Sequence, residues 1–390
     1  MALQDLIFDV IGAHVALTVT LAPLLILFIR SIYRIYFHPL AHIPGPILSK
    51  LTSLWLHYHA YTGDEASVIH KLHQQYGPYV RVSPNEVDLS DADGIPAIYV
   101  SKGGFPKAKC YANFDIDGHK TIFSTTNQEY RASRAKAVLP LFSTKSLREN
   151  EMAIWGCVDC VMDRLKEEAK TKRPVNVLNL ARSLAVDVVS THLFRENYDG
   201  VNEKGPVLSV SAFVDAFVAV GRFFYLPNIA FVWLEWAVEK WAPDRETDDS
   251  MSLVDKFVAT LVGNTTSKST TYPGPGGWTF KGTYFPAGSL IGCSAYELHF
   301  NPIVFTQPQE FIPERWLDTT EDMSKYWFAF GAGSRACIAR NLATMELQFA
   351  TERLAKTGVL DGARAVQKEV EIYEWFNSKV KGGKIELVWE

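Results

Sequence analysis

Apolar side chains recur three and four residues apart near the C-terminus. Leu342, Met345 and Phe349 form one stripe, and Ala343, Leu347, Ala350 and Leu354 the adjacent one, which predicts an amphipathic helix stopped by Gly358. Met152 to Ala169 has the same helical rhythm. Alternation replaces it in Tyr76-Gly77-Pro78-Tyr79-Val80-Arg81-Val82-Ser83-Pro84-Asn85, where turn residues bracket the first strands of a small β region. Phe280 to Cys293 (FKGTYFPAGSLIGC) reads as a β-hairpin around Pro286-Ala287-Gly288, preceded by the turn cluster Pro273 to Gly277. The stretch from Val207 to Trp241, rich in Phe, Trp, Val and Leu, fits helices that roof an apolar pocket, touch a membrane surface or fill a core.

The longest apolar run is Val10 to Ile29, with no formal charge unless His14 is protonated, and is long enough to span a hydrocarbon layer of ~30 Å. Asp5 and Asp9 precede it and Arg30 and Arg34 follow it, which argues for a retained anchor with the following domain in the cytosol rather than a cleaved signal. Pro23 and His14 weaken the span, so a buried core helix is the rival reading. The prolines of His38-Pro39-Leu40-Ala41-His42-Ile43-Pro44-Gly45-Pro46 forbid a continuous helix and predict a stiff, extended connector. The chain thus divides into an anchor (1–34), a proline-rich hinge (35–48) and one large unit (49–390).

Composition narrows the classes. The 390 residues are 47% hydrophobic with a formal net charge of −4, enough for a large core and no basis for a nucleic-acid partner. Five cysteines, odd in number and widely spread, argue against a disulfide scaffold. Cys157-Val158-Asp159-Cys160 sits within a helical run with no second such pair, so buried helix cysteines explain it better than a zinc or redox motif.

One cysteine stands apart. Phe330-Gly331-Ala332-Gly333-Ser334-Arg335-Ala336-Cys337-Ile338-Ala339 ends a glycine-rich loop directly before the C-terminal helix. Cys337 therefore lies near a helix N-terminus, where unpaired N–H groups favour a thiolate, a nucleophile and metal ligand. A phosphatase-type Cys-x5-Arg loop is excluded because Ala343 holds the arginine position. A dinucleotide loop lacks its third glycine.

The spacing of Phe330, Gly333, Arg335, Cys337 and Ala339 resembles the haem-binding signature of the cytochrome P-450 family. The resemblance extends in order through the proline-rich hinge, Tyr76–Asn85, Tyr130 with Arg134 four residues on, Tyr296–Pro302 and Phe311–Trp316. It implies a mainly α fold with a small β region and an N-terminal transmembrane helix. It implies haem (heme, iron protoporphyrin IX) as cofactor, with Cys337 as axial thiolate ligand to iron. Arg335, Arg134 and Tyr130 would hold the propionates, with Phe330, Gly333 and Ala339 shaping the loop. The implied reaction inserts one oxygen atom from O2 into an apolar small molecule, with electrons from NADPH through a cytochrome reductase. The style of hinge and motifs is that of fungal microsomal members of the endoplasmic reticulum membrane, single-pass with a cytosolic catalytic domain and often tied to secondary metabolism.

The resemblance breaks between about Thr266 and Pro273. Arg315 belongs in the family to a salt-bridge triad completed by a Glu-x-x-Arg helix, and no Glu-x-x-Arg occurs in this chain. The nearest trace of the oxygen-side proton-delivery site is Leu261-Val262-Gly263-Asn264-Thr265-Thr266, with Thr265 as its candidate residue and Asn264 in place of the acid. A domain of ~350 residues is roughly 50 Å across, and a helix crossing it needs about 33 residues. Residues 251–272 cannot supply that helix and a further one. The fold is therefore expected to be incomplete, with Arg315 left as an unpaired, partly buried charge. A skipped coding segment and a genuinely shortened paralogue both account for the loss. The rival functions are a catalytically impaired member retaining at most haem or partner binding, and a non-oxidative enzyme using the same pocket.

Overall fold

The computed structural model describes residues 19, 21–101, 104–115, 119–205, 208–241, 249–250, 252–253 and 277–390. Thr265 and Asn264 lie outside the described residues, as do residues 1–18 and 20, which include the first part of the apolar run Val10 to Ile29. Residues 21–32 are helical and run into a wide turn at Tyr33–Phe37. Their apolar side chains face outward, Leu24 and Phe28 being 61% and 63% exposed. Among the described residues no helix is long and apolar enough to cross a membrane.

The connector after it is folded rather than extended. Leu40 and Ile43 are buried, and the fully buried guanidinium of Arg81 donates to the carbonyls of Arg34, Leu40 and Pro84. Proline stiffness is there, but a buried cation with carbonyl partners decides the path.

Helix α1 (Glu65–Tyr76) leads into strands β1 (Tyr79–Ser83) and β2 (Glu86–Leu89), which pair antiparallel with Tyr79 opposite Leu89. The two-residue period puts Val87 and Leu89 into a core with Ile98, Phe285 and Leu298. It turns Glu86 and Asp88 toward α1, where the Asp88 carboxylate bonds His73 Nε2 at 2.9 Å.

Helix α2 (Gln128–Val138) follows, its N-terminus capped by Asn127 Oδ1, which accepts from Tyr130 N. The main core is built from α3 (Glu151–Lys170), then β3 (Val175–Asn176) and α4 (Val177–Phe194). Helices α5 (Ser209–Val220) and α6 (Asn228–Trp241) occupy the aromatic stretch, and α6 leaves Ile229, Trp233 and Trp241 exposed.

The hairpin is displaced from its expected turn. Strands β4 (Trp278–Phe280) and β5 (Thr283–Phe285) pair antiparallel across Lys281-Gly282, both at positive φ (47° and 83°). That geometry matches the twist of the flanking strands, so it outcompetes Pro286–Gly288 as the reversal. Strand β6 (Leu290–Cys293) instead pairs parallel with β2, and α7 (Ala295–His299) leads away.

Helix α8 (Arg340–Thr357) runs from Ala339 to Gly358, whose φ of +60° stops it as its sequence foretold. Leu342 and Phe349 enter the main core, and the Phe349 ring stacks on Trp155 of α3 at 3.9 Å. Leu347 departs from its predicted stripe and is 63% exposed. Strands β7 (Ala363–Ala365) and β8 (Glu386–Trp389) close the chain as a three-stranded sheet with β3.

Candidate functional site

The loop before α8 is a tied structure. Cys337 N donates to Phe330 O at 2.8 Å, Gly331 N to Phe328 O at 3.0 Å and Ala336 N to Gly333 O at 3.2 Å. Ala339 accepts from Ala343 N and so starts α8 while packing on the main core. Phe330 thus acts through its carbonyl, and the exposed Cys337 thiol stands on a backbone fixed at both ends.

Gly333 explains why the loop cannot carry a side chain there. Its φ is +63°, and a Cβ would lie 1.9 Å from Tyr99 O and 2.9 Å from Val100 Cα. The loop is pressed backbone-to-backbone against the turn Pro96–Val100. That turn is itself anchored, because Tyr99 Oη accepts from Cys293 N at 3.0 Å and the Tyr99 ring meets Phe328 at 5.2 Å. From the other side His299 Nε2 accepts from Phe328 N at 2.9 Å, tying the Tyr296–Pro302 stretch to the same loop.

Arg335 has Nε, Nη1 and Nη2 shut away from solvent, with no hydrogen-bond partner among the described residues. Burial lowers its pKa, and the charge of Arg131 lowers it further. Lys107 belongs to the same group: burial first, then Arg335 and Arg131, push its ammonium down to about 7. Its Nζ lies 3.9 Å above the Tyr111 ring and 4.5 Å above that of Phe123. Among the described residues no acidic side chain forms an ion pair with Lys107, Arg131 or Arg335. A buried guanidinium without a partner is costly, so Arg335 favours an anionic group beside it.

Tyr130 and Arg134 lie against each other on α2. Arg134 lies flat over the Tyr130 ring at 3.7 Å, and Tyr130 Oη donates to Lys120 O. They meet each other, and the charge of Arg131, one residue along α2, is among the causes that lower the pKa of Arg335. Sequence reading missed Arg131 and Lys107. The signal was a second arginine three residues before Arg134, but the phase of α2 against the cysteine loop is a packing fact.

The residues present fit haem. They combine a thiol at the end of a backbone-braced loop with a buried guanidinium lacking a partner two residues before it, donors suited to an anionic, iron-bearing ring.

Arg315 is not the unpaired charge expected of it. Its guanidinium donates to the carbonyls of Ile312 (3.1 Å), Thr306 (2.6 Å), Gln307 (3.1 Å) and Glu310 (3.0 Å). Four carbonyl dipoles satisfy it without a carboxylate. Cys157 is buried and donates weakly to Thr191 Oγ1, Cys160 is half-buried, and both are free thiols, in keeping with the structural reading.

The family profile described as "Cytochrome P450" matches residues 44–262 and 276–356. The chain is 29% identical over 488 residues to the cytochrome P450 monooxygenase mfmF of Annulohypoxylon moriforme, covering 95% of this chain and 99% of the relative. It is 27% identical over 434 residues to tazI of Aspergillus terreus (84% and 88% covered) and 21% identical over 434 residues to pisatin demethylase of Fusarium vanettenii (83% and 86%).

Proposed function

The chain belongs to the cytochrome P450 family of oxidoreductases, and from that premise we propose that it is a haem-thiolate monooxygenase acting on an apolar small molecule of fungal secondary metabolism. When bound, haem supplies the reductive activation of O2 and the transfer of one oxygen atom. Cys337 is the thiolate ligand, held in place by the Cys337 N to Phe330 O bond and by the contact of Gly333 with Tyr99. Arg335 receives a carboxylate of the cofactor, and Thr265 is the side chain to test for proton delivery. The observation that carries the reading is the buried, unpartnered Arg335 two residues from Cys337.

By the same proposal the domain begins at about residue 49 and the N-terminal run anchors it to the endoplasmic reticulum membrane. The exposed apolar side chains of 21–32 support that, and a NADPH-cytochrome reductase is the electron donor. A segment present in relatives is missing between about 266 and 273. In support, the two matched blocks of the family profile are separated only by residues 263–275. An alignment of 488 residues that uses 95% of a 390-residue chain also leaves many residues of the relative without a counterpart. That shortness supports a second reading, an impaired member that binds haem without turnover.

The test offers the protein, a NADPH-cytochrome reductase, NADPH and ¹⁸O2 to a panel of apolar compounds. The expected result is one labelled oxygen atom in a product. Haem binding with NADPH oxidation but no labelled product would transfer the chain to the impaired class.

A further inference from the structure

We propose that the buried His73–Asp88 pair is a proton-dependent clamp on the cysteine loop, acting through α7: the loop is held while the pair keeps its shared proton and is released when rising pH removes it. The geometry demands that proton. His73 Nδ1 lies 2.8 Å from Gly77 O, and Nε2 lies 2.9 Å from Asp88 Oδ1. A carbonyl and a carboxylate both accept, so the pair holds one proton more than a neutral imidazole beside a carboxylate would. Once it is lost, one ring nitrogen turns a lone pair toward an acceptor.

The surroundings offer no other cation. His70 lies one turn before His73 on α1, and its Nδ1 donates to Glu297 of α7 at 2.9 Å, so two carboxylates grip neighbouring sites on one helix face. Gln74 Nε2 donates to His70 Nε2 at 3.0 Å, which keeps the His70 proton on Nδ1 for Glu297. Glu65 of α1 accepts from Tyr225 Oη, Glu86 shares the α1 side of β2, and Tyr296 of α7 lies edge-on to His70. Glu374 accepts from Ser67 N, His59 is bonded to Asp64, and Arg81 of β1 is bonded to carbonyls. Among the described residues no lysine or arginine forms an ion pair with Glu65, Glu86, Asp88 or Glu297.

Helix α7 carries the effect to the loop. Glu297 holds α1, and two residues on His299 Nε2 accepts from Phe328 N at 2.9 Å. Phe328 O in turn accepts from Gly331 N, inside the loop that ends at Cys337. Burial raises the pKa of Asp88 and of Glu297, and that of His73 is raised because its bond to Asp88 outweighs its burial. All three bind protons more tightly folded than unfolded. The clamp is therefore complete below the ordinary histidine value of 6.5 and is lost as pH rises through the raised one. It needs no cofactor and so goes beyond the haem reading.

The test is hydrogen–deuterium exchange of the full-length apo-protein, read by mass spectrometry and corrected for the chemical exchange rate at each pH. Protection of the peptide carrying Phe328 to Cys337 is expected to fall about tenfold or more between about pH 6 and 9. In Asp88→Asn the amide donates to neutral His73 Nε2, no shared proton is needed, and the loop should keep its low-pH protection throughout. Peptides of α3 should keep the same pH trend in both proteins. If Asp88→Asn fails to fold, His73→Gln carries the comparison, and the step should vanish there too. Loop protection independent of pH in the parent would overturn the proposal. So would a step that survives in the variant, or one lost from the loop and α3 together. A protein that shows the step but binds no hemin would keep this inference and lose only the haem reading.

Discussion

Gly333→Ala tests how tightly the cysteine loop is seated. Two effects add. Alanine at a φ of +63° occupies the left-handed region, a strain of about 1–2 kcal/mol. The new Cβ would also sit 1.9 Å from Tyr99 O, against an ordinary contact of roughly 3.5 Å, so one backbone must retreat by about 1.5 Å. The Tyr99 side cannot readily yield, because Cys293 N and Phe105 N both bond to that turn. The cysteine loop therefore lifts, and overpacking of this kind adds about 1–3 kcal/mol. A total destabilisation of about 2–5 kcal/mol is expected, with weaker hemin binding because Cys337 rides on the same loop.

Gly331→Ala is the internal control. It has nearly the same φ, +66°, but its nearest foreign atom would be 3.8 Å away. It should lose only the conformational strain of about 1–2 kcal/mol. Urea unfolding followed by tryptophan fluorescence, alongside hemin titration, reads both variants. Equal losses in the two, or a Gly333→Ala protein within 0.5 kcal/mol of the parent on the roughly ±0.5 kcal/mol scale of ordinary surface changes, would refute the reasoning.

Two further outcomes follow. Arg315→Met removes four charge-assisted bonds to carbonyls of a surface loop; because water can reach them, a loss of about 1–3 kcal/mol is expected, partly recovered in Arg315→Lys, and no change in urea midpoint would show that the carbonyl cage is idle. Burial first, then Glu65 and Asp88, push the Glu86 carboxyl up to about 8, and burial pushes Glu65 up to about 7. The folded state then keeps protons that the unfolded chain releases above its ordinary carboxylate range, so stability should fall as pH rises from about 4.5 to 8. The raised pKa of His73 acts in the same direction. Glu86→Gln should flatten the unfolding midpoint across that window and raise it at pH 8; an unchanged slope would remove Glu86 from the account.

The parts legible in the sequence were those governed by local chemistry. The cysteine loop, the Gly358 stop of α8 and strand β1 each follow from short-range pattern and turn residues. What was missed depends on contacts distant in the chain. Arg131 adds its charge to that of Arg335, which lies on a loop some two hundred residues away in the chain. The connector around Leu40 folds because Arg81 supplies a buried cation to its carbonyls. Arg315 is satisfied by carbonyls, an outcome that side-chain pairing rules do not contain. Leu347 has the residue type of a core position and not its surroundings.

The proposed function turns on Cys337 being an iron-ligating thiolate. Its most direct test is the spectrum of the hemin-reconstituted, dithionite-reduced protein under carbon monoxide, parent beside Cys337→Ser. A red-shifted Soret band of thiolate-ligated haem is expected in the parent and is expected to be lost in Cys337→Ser, with hemin still bound. The same unshifted band in both proteins would contradict it.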